Sequence, residues 1–217
     1  MKNLTILCIV FSLFMAACIR KECRDIPGGY HFVLPVAITP ILDTFRIGDT
    51  ILIRSTFSNQ VYEMNTARYY ELINFRFDLS LTAVQLDTID GDENGIQSFQ
   101  VLENTDFEFR QYSNGVSAYV GQYEYDNGNY STELRIIPEK AGLFVVSLAA
   151  LMIDENQRFA GKCNGIGSSA VMAHENPEQM NIEFLTESPD PHYSEWTLQR
   201  PQERFYDAGG YCFYVVE

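Results

Sequence analysis

Between Asn74 and Thr82 apolar and polar side chains alternate without a break: Phe75, Phe77, Leu79 and Leu81 against Arg76, Asp78, Ser80 and Thr82. Successive side chains of a strand point to opposite faces, so this pattern describes a strand with one core face and one wet face, as in an antiparallel sheet. The same grammar recurs on either side. Phe32–Ile38 reads as a first strand, with Pro35 placing it at an edge or a switch between sheets. Ile51–Phe57, Gln97–Leu102, Phe107–Gln111, Ser117–Tyr125 and Thr132–Ile137 follow, separated by Gly95, Asn114-Gly115 and Asn127-Gly128-Asn129. Asn-Gly is a strong hairpin signal because both residues tolerate positive φ.

Leu143–Leu151 is apolar without alternation, as expected of a strand buried on both faces or of a core helix; its β-branched content and the preceding hairpin favour the strand. Glu63–Ile73 has weak periodicity and reads mostly as loop. Past Asp154 the pattern changes: Gly161–Gly167 is loop-like, Ser168–Glu175 reads as a short helix stopped by Pro177, and Met180–Leu185 as a strand. Tyr211–Val216 is an aromatic final strand. Short strands at this spacing predict an all-β fold, an antiparallel β-sandwich. The stretch from Gly48 to Leu151 resembles immunoglobulin-like domains in its opening Gly-Asp-Thr and its Ala-Gly turn before a late apolar strand, although the Cys…Trp…Cys framework is missing. The expected organisation is residues 1–17 as a signal peptide, 18–29 as a tether, 30–154 as the sandwich, and 155–217 as a β-rich extension packed on it.

At the N-terminus, Lys2 precedes the apolar run Leu4–Met15, and Ala16-Ala17 leads into Cys18. This resembles the lipobox of bacterial lipoproteins, with Met15 where Leu is usual. The resemblance implies cleavage before Cys18 and attachment of a diacylglycerol to its thiol. The run is too short to span a ~30 Å hydrocarbon core, whereas two or more acyl chains anchor a protein firmly. About 200 residues would remain, enough for a sizeable core. The chain carries a net charge of −14, made of 29 acidic against 15 basic residues. Such a surface repels nucleic acid and disfavours it as a partner.

Cys8 leaves with the signal peptide, and Cys23, Cys163 and Cys212 remain in an oxidising compartment. Cys163–Cys212 is the favoured disulfide, with Cys23 as the alternative partner. Across the mature chain the layout resembles the envelope lipoproteins of Bacteroidota-type bacteria, with their lipobox, early aromatic strand, Gly-Asp-Thr turn and Gly-Tyr final strand, here Gly210-Tyr211. That resemblance implies a lipid-anchored place in the cell envelope, at the outer membrane, with the periplasmic and exterior faces both open.

Candidate chemistry is sparse. Asp90, Asp92 and Asn94, with Gly95 at the sixth position, resemble the start of an EF-hand calcium loop, a Ca²⁺ candidate lacking the twelfth-position carboxylate because Val101 stands there. An acidic turn without an ion explains the same residues. His174-Glu175 begins an HExxH-like run but lacks the second histidine, and Pro177 breaks the helix that zinc ligation needs. Tyr119, Tyr123 and Tyr125 share one parity and could present a flat aromatic face for ligand contact. No complete catalytic motif is present. The leading expectation is therefore a non-enzymatic binding or structural role among envelope proteins or glycans, without a required cofactor. The alternatives are a carbohydrate-binding accessory of a polysaccharide-uptake system and an envelope hydrolase.

Overall fold

The stretch that alternates in the sequence buries all four of its apolar side chains: Phe75, Phe77, Leu79 and Leu81 are each at most 6% exposed. This is seen in the computed structural model, which describes residues 26–88, 95–102, 107–113, 115–152 and 157–217. Strands run along the chain as β1 (Tyr30–Thr39), β2 (Thr44–Arg46), β3 (Ile51–Ser58), β4 (Gln60–Glu63), β5 (Arg68–Glu71), β6 (Phe77–Gln85) and β7 (Phe99–Val101). They continue as β8 (Phe107–Gln111), β9 (Ser117–Gln122), β10 (Glu124–Asp126), β11 (Asn129–Pro138), β12 (Gly142–Met152), β13 (Ser168–His174) and β14 (Tyr211–Val216).

These strands make two sheets packed face to face, an all-β sandwich. One sheet runs β10-β11-β3-β1-β4-β5, with β13 joined to β1 and β7 to β11; the other runs β2-β14-β12-β6-β9-β8. Rings from the two sheets meet in the core, as where Phe57 lies 5.8 Å from Phe77 and Phe99 lies 5.1 Å from Phe144. β12 sits between β14 and β6, and Phe144, Val145 and Val146 are all buried, as an uninterrupted apolar run requires. The turn joining β10 and β11 has Asn127 at φ 48° and Gly128 at φ 82°, both in the left-handed region that a tight hairpin turn needs.

Other expectations are corrected. Ser168–His174 is a strand rather than a helix; it lies parallel to β1, with Ser168 opposite Tyr30 and His174 opposite Val36. Pro35 therefore sits close to the point where β1 exchanges β13 for β3, whose pairing begins at Ala37. The segment 180–185 forms no strand; Ile182–Glu187 is a short helical turn instead. Residues 155–217 are woven into both sheets instead of lying against them, since β13 extends one and β14 fills the gap between β2 and β12 in the other. The expected Cys163–Cys212 disulfide does not form, because Cys212 is a free, buried thiol on β14. Cys163 is not a free thiol; its partner lies outside the described residues, as do Cys18 and the alternative partner Cys23.

Three buried tyrosines fasten irregular segments to this frame, each hydroxyl serving as donor and acceptor at once. Tyr130 donates to the Leu72 carbonyl at 2.8 Å and accepts from the Phe75 amide at 2.6 Å. Tyr30 donates to the Gly161 carbonyl at 3.4 Å and accepts from the Cys163 amide at 3.1 Å. Tyr211 donates to the Leu42 carbonyl and accepts from the Leu42 amide. Backbone groups outside the strands are thereby satisfied, those of Leu72 and Phe75 inside the core.

Candidate binding surface

The segment expected to be loop, 63–73, holds the turn and second strand of a hairpin. β4 and β5 pair antiparallel with Val61 opposite Tyr70 and Tyr62 opposite Tyr69. Alternation then splits the aromatics between two faces. Tyr70 turns inward, its ring 5.6 Å from Tyr30, 6.1 Å from Phe32 and 5.0 Å from Phe159. Tyr62 and Tyr69 turn outward, 37% and 69% exposed, with ring centroids 5.4 Å apart. β5 is the last strand of its sheet, so this pair stands on a free edge.

A buried carboxylate organises the hairpin tip. Glu63 is fully buried, and its oxygens accept from the amides of His31 at 2.8 Å, Asn65 at 3.0 Å and Thr66 at 2.7 Å, and from the Thr66 hydroxyl at 2.6 Å. Burial pushes its pKa up, but these hydrogen bonds together outweigh that and hold it below the ordinary glutamate value. Asn65 continues the ties, donating to the Gly29 carbonyl at 2.6 Å and the Pro27 carbonyl at 3.2 Å. Ala67 completes the turn at φ 53°. The hairpin is thus pinned to the start of β1. Beneath it, a cavity of about 260 Å³ opens between Ile26, Asn65, Thr66, Arg68 and Gly161.

Trp196 offers no comparable platform. Its ring is stacked against His192 at 4.7 Å and covered by the Arg204 guanidinium at 3.5 Å. The Tyr62–Tyr69 pair is a solvent-facing aromatic pair on a sheet edge.

The three tyrosines singled out in the sequence do not form one face. The chain crosses from one sheet to the other at Tyr123, because β9 pairs with β6 while β10 pairs with β11. Tyr119 and Tyr125 consequently belong to different sheets, and Tyr123 is 3% exposed, with its hydroxyl 4.0 Å from the Met172 sulfur. Burial also raises the Tyr123 pKa strongly. Asp90, Asp92 and Asn94 fall outside the described residues. His174 ends β13 buried at 8% exposure, and its pKa is lowered by burial; no second histidine approaches it in a helix. What the sequence did hold for the hairpin was Tyr62 and Tyr69 placed symmetrically about Asn65-Thr66, a spacing that pairs them across a turn.

No protein-family model and no curated protein matches the chain. Among solved structures, the human F-spondin reeler domain is similar at 14% identity and a TM-score of 0.32, covering 67% of this chain and 92% of that one. A type II cohesin domain from the Acetivibrio cellulolyticus cellulosome is similar at 8% identity and a TM-score of 0.31, covering 65% of this chain and 92% of that one.

Proposed function

We propose that the chain is a lipid-anchored cell-envelope protein with a non-enzymatic binding role, and that the β4–β5 hairpin is its contact surface. The anchor reading rests on the Ala16-Ala17-Cys18 sequence. The binding reading rests on one observation: two tyrosine rings stand exposed side by side on a free edge, held by a tip whose Asn65 and Thr66 amides donate to Glu63. Tyrosine combines large contact area with a polar tip and few rotatable bonds, so little entropy is lost when a partner covers it. Holding the rings in place beforehand lowers the cost of binding further.

A second reading, a carbohydrate-binding accessory of a polysaccharide-uptake system, draws on the same pair. Sugar rings stack on exposed aromatic faces, and Asn59, Arg68 and Glu71 lie along the hairpin to hydrogen-bond hydroxyl groups. The test is a pull-down from solubilised envelope and from a polysaccharide panel, comparing the wild type with the Tyr62→Ala/Tyr69→Ala double variant. Loss of the captured species in a variant that still folds is the expected result, and its chemistry, protein or glycan, separates the two readings. Undiminished capture by the double variant would remove the hairpin from the account. Mass spectrometry of the mature protein tests the anchor independently: a diacylglyceryl group on Cys18 is expected, lost in Cys18→Ser.

A further inference from the structure

β5 ends its sheet, and the register of the hairpin fixes which of its main-chain groups face outward. The Leu72 amide donates to the Asn59 carbonyl at 2.8 Å, in the same register that sets Tyr70 opposite Val61. Along a strand of an antiparallel pair, residues alternate between those whose main-chain groups face the partner and those whose groups face away. Leu72 and Tyr70 therefore turn their amides toward β4, while Tyr69 and Glu71 turn amide and carbonyl outward. No strand lies beyond β5, and among the described residues no other main-chain hydrogen bond reaches Tyr69 or Glu71.

The side chains of this edge are as open as its main chain. Tyr70 is half-buried and Leu72 is buried, so Tyr69, Glu71 and Ile73 share the outward face, with Tyr69 69% and Ile73 59% exposed. Native proteins blunt such edges with proline, lysine, a bulge or a covering segment. β5 reads Arg68-Tyr69-Tyr70-Glu71, with neither proline nor lysine. Its outward donors and acceptors repeat every second residue, about 6.7 Å apart, which is the repeat of another strand. A sugar meets the rings without spanning that repeat. Charge narrows the occupant further. A second copy of the chain brings another net charge of −14 against the first. Glu71 is exposed and meets only the Asn59 side-chain nitrogen, at 3.4 Å, with no cation paired to it among the described residues.

We infer that the free edge of β5 takes up an extended, basic segment of a protein partner as an added strand. This rests on the reading of the hairpin as the contact surface and names its occupant. Main-chain hydrogen bonds exchanged with Tyr69 and Glu71 supply affinity that does not depend on the partner's sequence. Cross-strand side-chain pairs supply the selection: a lysine or arginine beside Glu71 and, two residues along on the same face, an apolar side chain against Tyr69. Glu63, by holding the Asn65 and Thr66 amides, keeps the edge in place before the partner arrives.

The experiment is calorimetry and amide hydrogen exchange on the mature protein with three synthetic octapeptides. One alternates lysine and valine along one face with threonine on the other; the second replaces its lysines by glutamate; the third is the first N-methylated at its lysines and valines. The lysine peptide is expected to bind, to weaken with added salt, and to slow exchange of the Tyr69 and Glu71 amides more than that of Tyr70. The glutamate and N-methylated peptides should bind at least about tenfold more weakly, the scale of two lost hydrogen bonds or of a charge reversed beside Glu71. Glu71→Pro removes one outward amide and keeps both rings, as an edge strand tolerates; it should weaken the lysine peptide to a similar degree with an unchanged thermal melt. The N-methylated peptide makes the same test on the unaltered protein. No binding of the lysine peptide, equal binding of either control, absence of protection at Tyr69 and Glu71, or a dimer formed through β5 would each overturn the inference. A glycan captured through Tyr62 and Tyr69 with no peptide bound would overturn it too, while leaving the hairpin reading in place.

Discussion

Tyr130 shows how much of this protein's tyrosine content is structural. Its hydroxyl closes the corner between β5 and β6, where the Leu72 carbonyl and the Phe75 amide have no strand partner. Burial lifts its pKa to about 12, so it remains a donor at any ordinary pH. Tyr130→Phe keeps the ring but strands both backbone groups, at roughly 1–3 kcal/mol for each one left unsatisfied. The expected outcome is a urea midpoint well below wild type, while Tyr62→Phe on the open face shifts stability by no more than about 0.5 kcal/mol. Cys212 supplies a second residue-scale prediction. It is 0% exposed, and burial raises its thiol pKa well above the ordinary value. A maleimide should leave Cys212 unmodified in the native protein and label it in denaturant, read by peptide mapping.

The β4–β5 hairpin depends on a charge that the sequence does not reveal. Glu63 looks like any acid in an acidic chain, yet it alone gathers donors from His31, Asn65 and Thr66. Its folded pKa lies below the reference of 4.5, so its stabilisation is complete above the unfolded value and is lost as pH falls through the folded one. Glu63→Gln removes one acceptor oxygen and the charge. It should cost about 1–3 kcal/mol at neutral pH, and the gap from wild type should narrow as pH drops below the ordinary carboxylate range, measured by chemical denaturation at both ends. Strands with a clean period were legible: β6 from its alternation, β12 from its unbroken apolar run, the β10–β11 turn from Asn127-Gly128. β13 was not, because Ser168, Ala170 and Ala173 carry no β-branched or aromatic signature and its strand form comes from pairing with β1. The Ser117–Tyr125 run hid its change of sheet at Tyr123 for a related reason: local pattern records that a residue is buried, not which sheet its neighbours join.

At the scale of the whole molecule, the change of pattern after Asp154 marks no break in the core. β14 stands between β2 and β12, and Tyr211, Cys212, Phe213 and Val215 are at most 2% exposed. Phe213 lies 5.1 Å from Phe45, 6.1 Å from Phe99 and 6.4 Å from Phe144, so one side chain of the last strand joins three earlier segments. Each large apolar side chain withdrawn from water contributes roughly 1.5–3 kcal/mol, and a handful together rival the 5–15 kcal/mol by which a domain is stable at all. The other sheet makes a parallel demand, since removing β13 strips β1 of a partner from Tyr30 to Val36. A fragment of residues 30–154 should therefore fail to fold: its amide NMR spectrum should be narrowly dispersed and its urea transition non-cooperative, whereas a chain of residues 26–217 should unfold in one step. A cooperative transition in the fragment would mean that the first twelve strands form a core of their own, and that β13 and β14 are added to a sandwich already complete.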